Sequence, residues 1–216
     1  MRLSEIQLLS DDLAETGRYY SGVLGLKKTH QKEGSVSFRV GASILTFLKS
    51  EAISPVYHFA FNIPPHQLME ALEWTRRRTA ILQGEDGDEI ADFVRWNAKA
   101  FYFKDNNGNI LEFIARFDLD VTGDGPFVSD LIISISEIGI VIDDVVSVRE
   151  SISEKYGVPI FSKPPILDNF TAMGDDNGLF ILSRTGRHWH PTETAAQCYW
   201  SRIEFESNGV CYEMTT

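Results

Sequence analysis

One carboxylate stands where an apolar side chain is expected. In Asp105-Asn106-Asn107-Gly108-Asn109-Ile110-Leu111-Glu112-Phe113 the Asn- and Gly-rich part supplies the positive-φ positions of a tight turn. The Ile-Leu-Glu-Phe-Ile that follows alternates so that Ile110, Glu112 and Ile114 share one strand face. A carboxylate on such a face is costly unless it is protonated, paired with a cation or bound to a metal, so Glu112 calls for a partner. Arg39 and Arg95, both on expected strands, are candidates for a buried ion pair with it.

The elements that would position Glu112 repeat along the chain. Gly41 precedes Ile44-Leu45-Thr46-Phe47, Gly108 precedes Ile110-Leu111-Glu112-Phe113, and Gly178 precedes Ile181-Leu182-Ser183, each a glycine turn feeding an Ile-Leu strand. Upstream of each lie a strand and a helix. The first unit reads as a strand from Leu3 to Leu9, a cap at Ser10-Asp11-Asp12, a helix from Leu13 to Val23 and strands near 26–31, 35–40 and 43–49. The second repeats that order: strand Val56 to Ile63, a Pro64-Pro65 entry, helix His66 to Arg78, and strands near 90–96, 99–104 and 109–116. Residues 118–126, rich in Asp, Gly and Pro, read as a linker. A third unit follows, with strand Leu131 to Ile142, helix Asp144 to Tyr156, a Pro-rich loop and strands near 170–173 and 179–184. Cys198 to Glu206 and Val210 to Met214 read as a closing hairpin around Asn208-Gly209.

The expected fold is therefore α+β, built of βαβββ modules. The first two, 1–50 and 55–117, are expected to pair around one cleft, and 127–216 to form a third, unpaired module. An unpaired module needs cover, so a homodimer is expected. Laying the first two units over one another makes Glu5 the counterpart of His58 and Thr46 the counterpart of Glu112.

Two segments carry a family resemblance. Leu13 to Leu26, with Gly17-Arg18-Tyr19-Tyr20 and Val23-Leu24-Gly25-Leu26, resembles the helix and exit turn of the vicinal oxygen chelate superfamily, which includes glyoxalase I, bleomycin and fosfomycin resistance proteins and extradiol dioxygenases. Phe103 to Glu112 is similar to that superfamily's closing signature, in which the Glu is a metal ligand. The resemblance implies that the first- and last-strand residues of two paired modules hold a divalent cation, here Glu5, Thr46, His58 and Glu112. His58, Glu112 and Glu5 are ligand types suited to Zn, Ni, Mn, Co or Fe, whereas Thr46 is a poor ligand and falls to the substrate side. Glu112 and Glu5 are then the candidate proton carriers, and Trp96 and Tyr102 the aromatic wall for a ligand whose anionic group Arg39 or Arg95 would meet. The implied activity is a glyoxalase-like lyase or isomerase on a small oxygen-bearing metabolite. Alternatives are a non-catalytic antibiotic-type binder and a ring-cleavage dioxygenase relative, although extradiol chemistry wants two His where this chain offers one. Gly186-Arg187-His188-Trp189-His190-Pro191-Thr192 resembles a segment of longer, uncharacterised glyoxalase-like proteins.

Composition narrows the classes. A net charge of -11 repels nucleic acid and anionic membranes, which leaves a small molecule as the expected partner. The apolar run from Leu131 to Ile142 is too short to cross a bilayer and is broken by Ser134, Ser136 and Glu137. No secretory leader is read at the start, and Cys198 and Cys211 lack metal-type spacing, so a reducing cytoplasm is expected. The bland alternatives are a satisfied core histidine at His58, a surface residue at Glu5, aromatic core at Trp96, Tyr102 and Phe38, and loop decoration at His188 and His190.

Overall fold

The computed structural model describes residues 1–51 and 53–216. In chain order it contains β1 (Arg2–Ser10), α1 (Leu13–Arg18), β2 (Lys28–Lys32), β3 (Ser35–Val40), β4 (Ser43–Lys49), β5 (His58–Ile63), α2 (Leu68–Arg76), β6 (Ile81–Leu82), β7 (Ala91–Phe93), β8 (Ala98–Lys104) and β9 (Ile110–Arg116). These are followed by β10 (Ser134–Ile142), α3 (Val145–Tyr156), β11 (Ile166–Leu167), β12 (Phe170–Asp175), β13 (Gly178–Arg184), β14 (Arg202–Ser207) and β15 (Val210–Thr215). The α+β class and the βαβββ repeat are as expected.

Which modules pair is not as expected. A nine-stranded sheet runs β11-β12-β13-β10-β5-β9-β8-β6, with β7 also on β8, so the second module joins the third through an antiparallel β5–β10 seam. The first module occupies a separate six-stranded sheet, β15-β14-β1-β4-β3-β2, where its partner is the closing hairpin. The third module is therefore paired within the chain, and the argument that a second copy must cover it falls away. Burial explains the choice. β5 is buried on both faces and β10 nearly so, whereas β1 buries Leu3, Ile6 and Leu8 but leaves Glu5 and Gln7 on a half-exposed face. A strand apolar on both sides needs cover on both.

The main core lies between the two sheets and beneath the helices: Ile6, Leu8 and Phe47 from one sheet meet Phe59, Phe61 and Phe113 from the other. Helices α2 and α3 add Leu72, Val145 and Ile152 to it. Gly41 makes the close approach possible. Its φ is +53°, and an added Cβ would lie 2.1 Å from the Ile133 carbonyl oxygen, so only glycine lets this turn abut the third module. A second, smaller apolar cluster, including Ala100, Ile114, Ile181 and Trp189, covers the opposite face of the nine-stranded sheet, where the sheet curls into a cleft.

Candidate metal centre

The turn that opens the signature is a hydrogen-bonded knot. Asp105, 8% exposed, accepts from the backbone N–H groups of Asn107 and Asn109 (both 2.9 Å), from the Asn109 side chain (2.8 Å) and from the Tyr20 hydroxyl (2.6 Å). Gly108 takes φ +79° within it. The Tyr19 hydroxyl donates to the Lys104 carbonyl at 2.9 Å, so the two segments that carry the resemblance touch each other. Asn109 also accepts from the Tyr57 N–H at 2.7 Å, which sets the register between β9 and the start of β5. Register then does the rest: in the parallel β5–β9 pair Ala60 stands opposite Glu112, and in the antiparallel seam Ala60 stands opposite Glu137.

Three buried side chains converge on that point. One ligand atom from each of His58, Glu112 and Glu137 lies within 4.8 Å of the others. His58 donates Nδ1–H to the Ile110 carbonyl (3.1 Å), because a carbonyl can only accept. That leaves Nε2 as a lone pair facing Glu112 Oε2 at 3.7 Å. This contact would be an ion pair only if both groups were charged, and their surroundings favour the neutral form of each. Burial pushes His58 down to about 4, and the charges of His190 and Arg187 act the same way against the Ile110 hydrogen bond. Glu112 is pushed well up by burial and by the negative charge of Glu137, against the pull of Arg116 and Tyr102.

Glu137 is held differently. Its carboxylate accepts from Arg116, a fully buried guanidinium that also reaches Ser136 Oγ (3.2 Å) and Asp176 Oδ1 (3.4 Å). Asp176 in turn takes Lys163 Nζ at 2.8 Å, and Lys163 donates to the Trp96 carbonyl at 3.0 Å. A chain of alternating charges thus runs from the loop before β11 to the carboxylate of β10. Burial still raises Glu137, with Arg116 opposing it.

Of the residues singled out in the sequence, His58 and Glu112 come together. Glu5 and Thr46 do not join them: both lie on the six-stranded sheet, where Thr46 Oγ1 donates to Glu5 Oε1 at 2.7 Å. Arg39 is exposed on that same sheet, far in the topology from the cleft, and Phe38 is main core. Arg95, Trp96 and Tyr102 do line the cleft, which encloses about 500 Å³. Trp96 Nε1 donates to the Pro164 carbonyl at 2.8 Å, pinning the loop before β11 over the cleft. Glu112 is not paired with Arg39 or Arg95. Tyr102, opposite Glu112 across β8–β9, has its hydroxyl pKa pushed up by burial and by the charges of Glu112 and Glu137.

Sequence reasoning missed Glu137, Arg116 and the place of Trp189. The signal for Glu137 was available, since it interrupts an apolar strand as Glu112 does. Trp189 stacks near the His58 ring, centroids 5.0 Å apart, and seats against Gly139 of β10. Among the described residues His188 and His190 belong to no group of metal-ligand type: His188 pairs with Glu193 at 2.9 Å outside the cleft.

The chain is similar to proteins of known structure. A putative dioxygenase from Bacillus subtilis subsp. subtilis str. 168 aligns with a TM-score of 0.61 and 16% identity over 100% of this chain and 84% of its own. The chain has the glyoxalase/bleomycin resistance/dioxygenase fold. A glyoxalase I variant from Zea mays shares the glyoxalase-type fold with a TM-score of 0.60 and 14% identity, over 85% of this chain and 68% of that one. No family model and no curated protein matches the sequence. Within the glyoxalase-type fold the two-fold of the seam makes His58 and Glu137 counterparts. It likewise makes Ile181, paired with Gly139 as Glu112 is with Ala60, the apolar counterpart of Glu112. The six-stranded sheet has the same seam geometry between β1 and β14, where Gln7 stands opposite Arg202. There β14 belongs to the closing hairpin with β15 and not to a βαβββ module.

Proposed function

We propose that the chain is a metal-dependent enzyme of the lyase or isomerase type acting on a small oxygen-bearing metabolite, with His58, Glu112 and Glu137 as metal ligands. The observation that carries this reading is the convergence of one imidazole and two carboxylates, all buried, within 4.8 Å. The donor set fits a divalent cation. Glu112 is 2% exposed and, among the described residues, makes its only ion-pair contact with His58, which burial holds neutral. A divalent cation would supply the missing counter-charge.

When bound, such a cation supplies a Lewis acid for neighbouring substrate oxygens. The chain's own residues do the rest. The Ile110 carbonyl fixes the tautomer that leaves His58 Nε2 free, and Arg116 fixes the orientation of Glu137. Ile181 brings no donor at the remaining position, which leaves room for substrate and water. Glu112, which has no guanidinium on it, is suited to carry a proton to or from a carbon next to the substrate oxygens. Glu5 has no part in this. Trp96, Tyr102 and Trp189 give the cleft an aromatic wall for an apolar part of the substrate.

Metal analysis of protein purified without chelator is the test. The expected result is a stoichiometric transition metal, lost in His58→Ala and Glu112→Gln and kept in Glu5→Gln. Protein that is metal-free and cannot be reconstituted overturns the assignment. It would favour a second reading, a non-catalytic binder of aromatic compounds, which has one observation in its support: Arg116 already neutralises Glu137.

A further inference from the structure

The segment that carries Trp189 brings a second group to the cleft. Arg187 is half-buried and lines both the cleft and an outer cavity of about 660 Å³ that opens from it. Its guanidinium lies over the Phe170 ring, 4.3 Å from the centroid, which holds the plane and leaves the N–H edge free. No partner takes that edge among the described residues, and burial alone lowers the Arg187 pKa. In a chain with 31 acidic and 20 Lys and Arg side chains, a half-buried arginine without a carboxylate is out of keeping with the charge balance. Two acids of the same wall are engaged elsewhere, Glu193 with His188 (2.9 Å) and Asp92 with Lys99 (3.0 Å). Glu85, Asp86 and Asp88 are exposed on the outer cavity and none of them hydrogen-bonds or pairs with Arg187, and Glu89 pairs with Arg76.

Arg187 lines the cleft together with His58, Phe170 and Trp189, so its guanidinium borders the interior of the site. An unpaired donor fork beside an aromatic wall matches an anion joined to an apolar body. We infer that Arg187 is the anion-recognising residue of the cleft, and that the ligand carries a carboxylate or phosphate group on an aromatic or otherwise apolar framework. The inference rests on the cleft as the ligand site of the proposed function and not on the metal.

The test is binding of benzoate, phenyl phosphate, benzamide and benzylamine, followed by calorimetry and ligand-observed NMR on chelator-treated protein. Benzoate or phenyl phosphate is expected to bind about tenfold more tightly than neutral benzamide, the scale of one charge-assisted hydrogen bond. The better of the two anions identifies the group. Arg187→Met should remove that preference while leaving benzamide unchanged, and Arg187→Lys, which keeps the charge but not the planar fork, should retain part of it. Equal binding of benzoate and benzamide overturns the inference, as does a preference for benzylamine, an unchanged Arg187→Met variant, or no binding by either anion. If Arg187→Met fails to fold, the wild-type comparison of benzoate with benzamide still decides. Anion binding that survives in His58→Ala separates this inference from the metal assignment, which would fail independently.

Discussion

His58 ties folding to pH through a proton it does not take up when buried. The imidazole protonates near 6.5 when exposed and near 4 in the fold. Above pH 6.5 neither state holds the proton and the contribution is flat. As pH falls from 6.5 to 4 the unfolded chain gains a proton that the folded chain refuses, so stability drops; below 4 it is flat again. The drop amounts to roughly 3 kcal/mol. Urea unfolding of chelated protein across that window should show it as the difference in slope between wild type and His58→Gln, because the buried Glu112 and Glu137 carboxyls, both raised, contribute with the opposite sign in each. Arg116 is the other residue on which the site depends. Arg116→Met is expected to cost about 3–5 kcal/mol, because Glu137 is left buried without its cation, and adding Glu137→Gln should recover part of the loss in the same unfolding assay. Glu112 was legible in the sequence because one carboxylate broke an alternating apolar strand. Glu137 met the same criterion, but it interrupts the first strand of a module read as unpaired, where no partner for it was looked for. Arg116 was not legible, since an arginine at the last position of a strand reads as a solvated end, and only the β5–β10 seam brings Glu137 and Asp176 to it.

At the level of elements, the repeat was readable because glycine turns and Ile-Leu strands recur at similar places, and because Asn208-Gly209 takes the two positive φ values, 52° and 77°, of a tight hairpin. The pairing of modules was not, since a βαβββ unit offers its first strand to any partner. What distinguished them was quieter: Glu5 and Gln7 keep one face of β1 polar, whereas β5 and β10 hide both. That seam makes a demand on β10 at Gly139, where an added Cβ would lie 2.7 Å from Cη2 of Trp189. Gly139→Ala is expected to push the indole from the His58 ring, costing about 1–3 kcal/mol. A shift in intrinsic tryptophan fluorescence and a lower thermal midpoint would report it. Gly22→Ala, where an added Cβ meets nothing within 4 Å, is the matched control and should leave the fluorescence unchanged.

On the scale of the whole molecule, the cleft is built from one continuous stretch, residues 58–190, whereas the six-stranded sheet joins β1 to β4 with the distant β14 and β15. Gln7 waits for Arg202 before β1 has a neighbour on its outer side. Closing so wide a loop is entropically slow, so during synthesis on the ribosome the half that holds the cleft can condense while β1 still presents an open row of amides and carbonyls. The late hairpin then acts as a stopper: a nascent molecule that lacks it carries a finished pocket beside a strand able to recruit a stranger.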